Sequence, residues 1–135
     1  MAGELILVVE DHAPFRTLLA DVLAAHGYRV NVAATGEEAL VEARRERPAL
    51  VIMDIRMPGM GGVAATRELR ADPATRDARI VALTASAMPD EIASYQSAGF
   101  DAFHVKPVVD LDRLIGELAR LIDATSSASP NGTGS

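Results

Sequence analysis

Five short apolar runs, each followed by a stretch of helical character, restrict this chain to a small set of folds. The runs are Leu5 to Val9, Tyr28 to Ala33, Leu50 to Met53, Ile80 to Leu83 and Ala102 to Val105. Most lack the polar alternation of a half-exposed strand, the pattern of parallel strands covered on both faces. Between the first two, Phe15, Leu18, Leu19, Val22 and Leu23 recur at helical spacing, and after the last, Leu111, Leu114, Ile115, Leu118 and Ile122 do nearly the same. Gly27 is placed to end the first helix. Thr35 and Glu38 have the spacing of a capping box at the start of the second, and Pro48 stops it. A third helix is expected from about Val63 to Ala71, and a fourth follows Pro89, a residue suited to a first helical turn. The prediction is an α/β fold, (βα)5, with a doubly wound five-stranded parallel sheet, right-handed crossovers and helices on both faces.

At 135 residues, the chain has room for one such domain, expected over residues 1–123. Residues 124–135, rich in Ser, Gly, Thr and Ala, are expected to form a disordered tail. The absence of cysteine excludes disulfides and thiolate chemistry and agrees with a reducing, cytoplasmic setting. The first apolar run lacks a basic flank and stops at two acids, so it reads as a strand and not as a leader or a membrane span. A formal net charge of −6 argues against direct nucleic-acid binding, which depends on clustered cations. Protein partners are expected instead.

The polar residues at the strand exits carry the chemistry. Glu10 and Asp11 follow the first strand, and Asp54 follows the third. Open parallel sheets build their sites at these carboxyl ends. If the first and third strands are neighbours, three carboxylates crowd one pocket, where they either raise one another's pKa or share a cation. A hard divalent ion such as Mg²⁺ is the natural partner for oxygen ligands of this kind. The fourth strand ends at Thr84. The fifth ends at Lys106, the only lysine among the thirteen Lys and Arg residues, and Pro107 follows it. A lysine is a compact point charge able to meet one anionic oxygen, which an arginine fork is not. A hydroxyl, an ammonium and Mg²⁺ around one carboxylate are the parts that stabilise a transferring phosphoryl group, with Asp54 as nucleophile.

Over residues 4–123 the chain resembles the receiver domain of bacterial response regulators in two-component signalling. The resemblance is carried by Val9-Glu10-Asp11, Met53-Asp54-Ile55-Arg56-Met57-Pro58-Gly59-Met60, Ala82-Leu83-Thr84-Ala85, Ala98-Gly99-Phe100-Asp101-Ala102-Phe103 and Lys106-Pro107, in that order. It implies a flavodoxin-like strand order 2-1-3-4-5, and a phosphorylation-dependent signalling role in which Asp54 accepts a phosphoryl group. The donor would be a phosphohistidine on a sensor histidine kinase or a histidine phosphotransfer protein. It further implies that Asp11, Asp54 and the backbone carbonyl of Arg56 hold Mg²⁺, with Glu10 acting directly or through a metal-bound water. Lys106 would pair with the phosphoryl oxygen or, before transfer, with Asp54. Thr84 would donate its hydroxyl to the phosphoryl group, and Phe103 would be the aromatic switch that follows Thr84, reshaping the face of the fourth helix, fifth strand and fifth helix for a downstream protein. The family's Lys-Pro bond is usually cis.

Two departures stand out: Gly61 where an acid often precedes the last glycine of the loop, and Phe103 where tyrosine is frequent. Gly59, Gly61 and Gly62 suit a loop turning sharply beside the metal. His12, His26 and His104 show no ligand spacing, and Tyr95 and Ile92 are expected to face the sheet. An aspartyl-phosphate hydrolase would want an acid where Arg56 stands. A flavodoxin-like electron carrier would want a hydroxyl-rich loop where Glu10-Asp11 stand. A receiver inside a larger hybrid kinase, and a module that works unphosphorylated, are the remaining alternatives, the second disfavoured by the complete set of pocket residues.

Overall fold

The computed structural model describes residues 3–85, 88–106 and 111–131, with side-chain environments described as far as Asp123. Five strands, β1 (Leu5–Val9), β2 (Arg29–Ala33), β3 (Leu50–Asp54), β4 (Arg79–Thr84) and β5 (Ala102–Val105), alternate with five helices, α1 (Ala13–Ala25), α2 (Gly36–Glu46), α3 (Gly62–Ala71), α4 (Pro89–Ala98) and α5 (Leu111–Asn131). All strand pairs are parallel, in the order β2-β1-β3-β4-β5. The predicted alternation and strand order are both found.

Every residue of β1 and β3 is buried, which accounts for their unbroken apolar sequences. Alternate residues feed two cores. Leu7, Val9, Val51, Met53, Ile80 and Ala82 pack with residues of α2, α3 and α4, whereas Ile6, Val8, Ile52, Val81 and Leu83 pack with α1 and α5. Each fully buried aliphatic side chain contributes roughly 1.5–3 kcal/mol relative to an exposed one, so these two layers supply most of the driving force. The edge strands are less covered. Val32 on β2 and Leu18 on α1 are both 46% exposed, so Leu18 lies outside the core stripe that its spacing predicts.

Local signals set the helix ends. The Glu38 N–H donates to Thr35 Oγ1 at 3.1 Å and the Ala34 N–H to Glu38 Oε1 at 2.8 Å, so the box expected at the start of α2 closes one residue further back than its usual form. Arg47, left-handed at φ 50°, ends α2 just before Pro48. Pro89 opens α4 and Gly99, at φ 106°, closes it. Along α5, Leu114, Ile115, Leu118 and Ile122 are buried as their period predicts. The helix runs past Asp123 as far as Asn131, into the segment expected to be a tail, and residues 132–135 lie outside the described residues.

Candidate functional site

The strand order makes β1 and β3 neighbours, with Val9 opposite Met53, so their carboxyl ends open side by side. Glu10 follows β1 directly and Asp54 is the last residue of β3. One carboxylate oxygen from each of Glu10, Asp11 and Asp54 lies within 4.8 Å of the others. Glu10 and Asp54 are buried, at 1% and 4% exposure, while Asp11 is open to solvent. Three hard oxygen donors at this separation form a group able to hold a metal ion.

Lys106 stands between the two buried acids. Its Nζ lies 3.0 Å from Glu10 Oε1 and 3.2 Å from Asp54 Oδ1, and 5.5 Å from the centre of the Phe15 ring in the first turn of α1. The expected Asp54 pair is present, and the closer partner is Glu10. The backbone helps aim this side chain, since the Lys106 N–H donates to the Thr84 carbonyl at 2.7 Å and extends the β4–β5 ladder by one bond. Pro107, and with it the cis or trans state of the Lys106–Pro107 bond, lies outside the described residues.

The electrostatics follow from burial. Asp54 is pushed up to about 6, first by loss of water and then by the Glu10 charge, and Lys106 pulls it partly back. Burial works against the Lys106 ammonium, but the hydrogen bond it donates to Glu10 and the two carboxylate charges outweigh it and leave its pKa raised. Glu10 is further held by its neighbours: the His12 N–H donates to Oε2 at 3.1 Å, and Arg16 donates to the Glu10 carbonyl at 2.8 Å. His12 is thus beside the pocket through its backbone.

The loop after Asp54 is tied to β3 by glycine. The Gly62 N–H donates to the Ile55 carbonyl at 3.0 Å, and a Cβ at Gly62 would overlap the Asp54 carbonyl oxygen. Gly59 is left-handed at φ 72°, so two of the three glycines read as turn residues have distinct geometric reasons. Arg56, expected to lend its carbonyl, lies in this loop with an exposed side chain. Gly62→Ala should lower stability by about 1–3 kcal/mol, because the added methyl forces the loop off the strand end. A urea midpoint unchanged by that substitution would show that the loop yields freely.

Thr84, the last residue of β4, is buried at 2% exposure, and its Oγ1 lies 2.9 Å from the Tyr95 hydroxyl on α4. Phe103, on β5 opposite Ala82, is partly buried against the same core as Tyr95. The sequence pattern places Tyr95 facing the sheet, and it does; its bond to Thr84 is a tertiary contact that the pattern does not carry. The available signal was a tyrosine on a small-residue helix, whose hydroxyl needs a partner when the ring is buried.

Comparison with known proteins adds a consistent picture. The family model described as "Response regulator receiver domain" matches residues 6–119. The "Polar-differentiation response regulator DivK" of Brucella anthropi is 34% identical over 103 residues, covering 76% of this chain and 84% of that protein. The "Probable transcriptional regulator ycf27" of Porphyridium aerugineum is 39% identical over 94% of this chain and 52% of its own length, so the chain spans about half of that relative. Among solved structures, the receiver domain of sensor histidine kinase PA1611 from Pseudomonas aeruginosa PAO1, with magnesium ion coordinated in the active site cleft, superposes with a TM-score of 0.82 at 37% identity, covering 90% of this chain and 99% of that one.

Proposed function

This chain belongs to the response regulator receiver domain family, and from that premise we propose that it is a phosphorylation-dependent signalling switch with Asp54 as its phosphoryl acceptor. The observation that carries the assignment is the meeting of Glu10, Asp11, Asp54 and Lys106 at the ends of β1, β3 and β5, where a buried carboxylate faces both a cation-binding acid cluster and a fixed ammonium.

In the transfer, an Asp54 oxygen forms a bond to phosphorus as the P–N bond of a phosphohistidine breaks, and the released imidazole nitrogen takes up a proton. Mg²⁺, held by Asp11, Asp54 and the Arg56 carbonyl with Glu10 beside it, would supply charge neutralisation for the phosphoryl oxygens. Lys106 meets one of those oxygens as its pairing with Asp54 is relaxed. Thr84 donates its hydroxyl to another, and Phe103 turns into the space that Thr84 leaves, changing the face of α4, β5 and α5 that a downstream protein reads. The magnesium in the PA1611 receiver supports the same ion here.

The donor is a sensor histidine kinase or a histidine phosphotransfer protein. The domain acts in the cytoplasm, and no helix among the described residues is long and apolar enough to cross a membrane. We place the receiver domain over residues 1–123, a span that includes the 6–119 matched by the family model.

Incubation with labelled phosphoramidate and Mg²⁺ should give stoichiometric acyl phosphate that is stable to acid and labile to hydroxylamine. Chelating the metal should slow uptake by roughly a hundredfold or more, the scale expected when a main source of charge stabilisation is removed. Uptake indifferent to Mg²⁺ would count against the acid cluster as its site.

A further inference from the structure

Of the ten residues of α4, Tyr95 and Ala98 are the buried ones, so the helix holds the sheet through few groups. Its C-terminal end is pinned: Arg70 of α3 donates to the Gly99 carbonyl at 2.9 and 2.7 Å and to Asp101 Oδ2 at 2.9 Å. The Tyr95 ring packs edge-on against Phe100, with centroids 6.1 Å apart. At the other end, Met88 stands before the helix with its side chain exposed. Between these ends, the bond between Tyr95 Oη and Thr84 Oγ1 ties the middle of α4 to the last residue of β4.

We infer that Tyr95 is a positioning residue of the switch, holding the Thr84 side chain toward α4 in the resting domain through a bond that phosphoryl capture by Thr84 must break. The inference rests on the phosphoryl-acceptor reading of Asp54. Thr84 follows Ile80 and Ala82 on the side of β4 that faces α4, whereas Leu83, the residue paired with Asp54, belongs to the α1–α5 side. A threonine side chain occupies discrete staggered wells, so its hydroxyl serves Tyr95 or turns to the strand-end pocket, and does not slide between them. Turning costs the Tyr95 bond and removes one of the few ties of α4 to the sheet. Phe103 has no hydroxyl, so the phenol that meets Thr84 comes from α4 itself. The helix that carries the tie is then the element that is released, and charge at Asp54 is converted into freedom of the α4 surface without a hydroxyl at Phe103.

The test compares affinity for beryllium fluoride, a mimic of a phosphoryl group on a carboxylate, with Mg²⁺ present, by calorimetric titration. Tyr95→Phe keeps the ring and its contact with Phe100 and deletes the hydroxyl. It should bind the mimic about fivefold more tightly than the parent, the ratio that a typical net hydrogen bond supplies. In a Thr84→Val background the same substitution should change affinity by less than about twofold, since the bond is already gone. Equal or weaker binding by Tyr95→Phe overturns the inference, as does the same tightening in the Thr84→Val background, which would assign the effect to packing. Failure of the parent protein to bind the mimic at all would overturn the phosphoryl-acceptor reading together with this one. Binding by the parent that Tyr95→Phe leaves unchanged overturns the role of Tyr95 alone.

Discussion

Asp54→Asn is expected to take up no phosphoryl group from phosphoramidate and Mg²⁺, and at the same time to make the metal-free domain more stable at neutral pH. The first result follows from chemistry, since an amide oxygen is not the nucleophile that a carboxylate is and cannot bring the charge that a cation needs. The second follows from the pocket. Asp54 is buried beside Glu10, and its pKa in the folded state is raised from 3.8 to about 6. A raised folded value means that between those two pH values the native protein binds the proton more strongly than the unfolded chain does. Stability therefore falls as pH rises through that window, and above pH 6 the full cost of holding an ionised Asp54 is present. Asparagine carries no such charge, and Lys106 keeps Glu10 as its partner at 3.0 Å. The gain should be about 1–2 kcal/mol at pH 7 after allowing for the solvent reached through Asp11 and Lys106, and should vanish toward pH 4. For a domain of this size that is several degrees in melting temperature. Labelling of Asp54→Asn to the parental level would remove Asp54 as the acceptor, and a stability difference independent of pH would remove the electrostatic account.

The same pocket shows what sequence can and cannot carry. The strands β1 and β3 were legible because residues buried on both faces leave an unbroken apolar run, and the acids Glu10, Asp11 and Asp54 were legible because they interrupt such runs at a fixed end. Parallel pairing then does the rest, since Val9 opposite Met53 brings those interruptions together whatever the side chains are. Which carboxylate the ammonium approaches more closely was not legible. That choice is the difference between 3.0 and 3.2 Å, at a side chain whose backbone N–H bonds to the Thr84 carbonyl and whose Nζ lies near the Phe15 ring. Leu18 lies off the core stripe for a reason that is also tertiary. Helical period marks a stripe, but where the sheet ends beneath that stripe depends on the edge strand β2, whose Val32 is as exposed as Leu18. The Thr84–Tyr95 bond needed the seat of α4 on β4, a tertiary placement that neither residue announces.

Lys106→Met is expected to slow phosphoryl uptake by about a hundredfold at pH 7, and Lys106→Arg is expected not to restore the rate. Removing one preorganised charge from a site where negative charge moves costs roughly 10²–10³ in rate. Here the loss has two parts. Lys106 is the group that pulls the Asp54 pKa down, so its removal lets burial and Glu10 push that value above 6, and a larger share of Asp54 is protonated and unreactive at neutral pH. The incoming phosphoryl oxygens also lose the ammonium that would meet them. Arginine supplies a charge but not the point: its planar fork seeks two oxygens in one plane, whereas Glu10 Oε1 and Asp54 Oδ1 meet a single nitrogen at 3.0 and 3.2 Å from two different strands. The Phe15 ring, 5.5 Å from that nitrogen, borders the space that the wider guanidinium would need. Carboxyl NMR of the metal-free proteins separates the two parts: Lys106→Met should raise the Asp54 pKa, while Lys106→Arg should leave it close to the parent and still slow transfer. Parental transfer rates in Lys106→Arg would show that any cation serves, and the only lysine of an arginine-rich chain would then be a matter of usage alone.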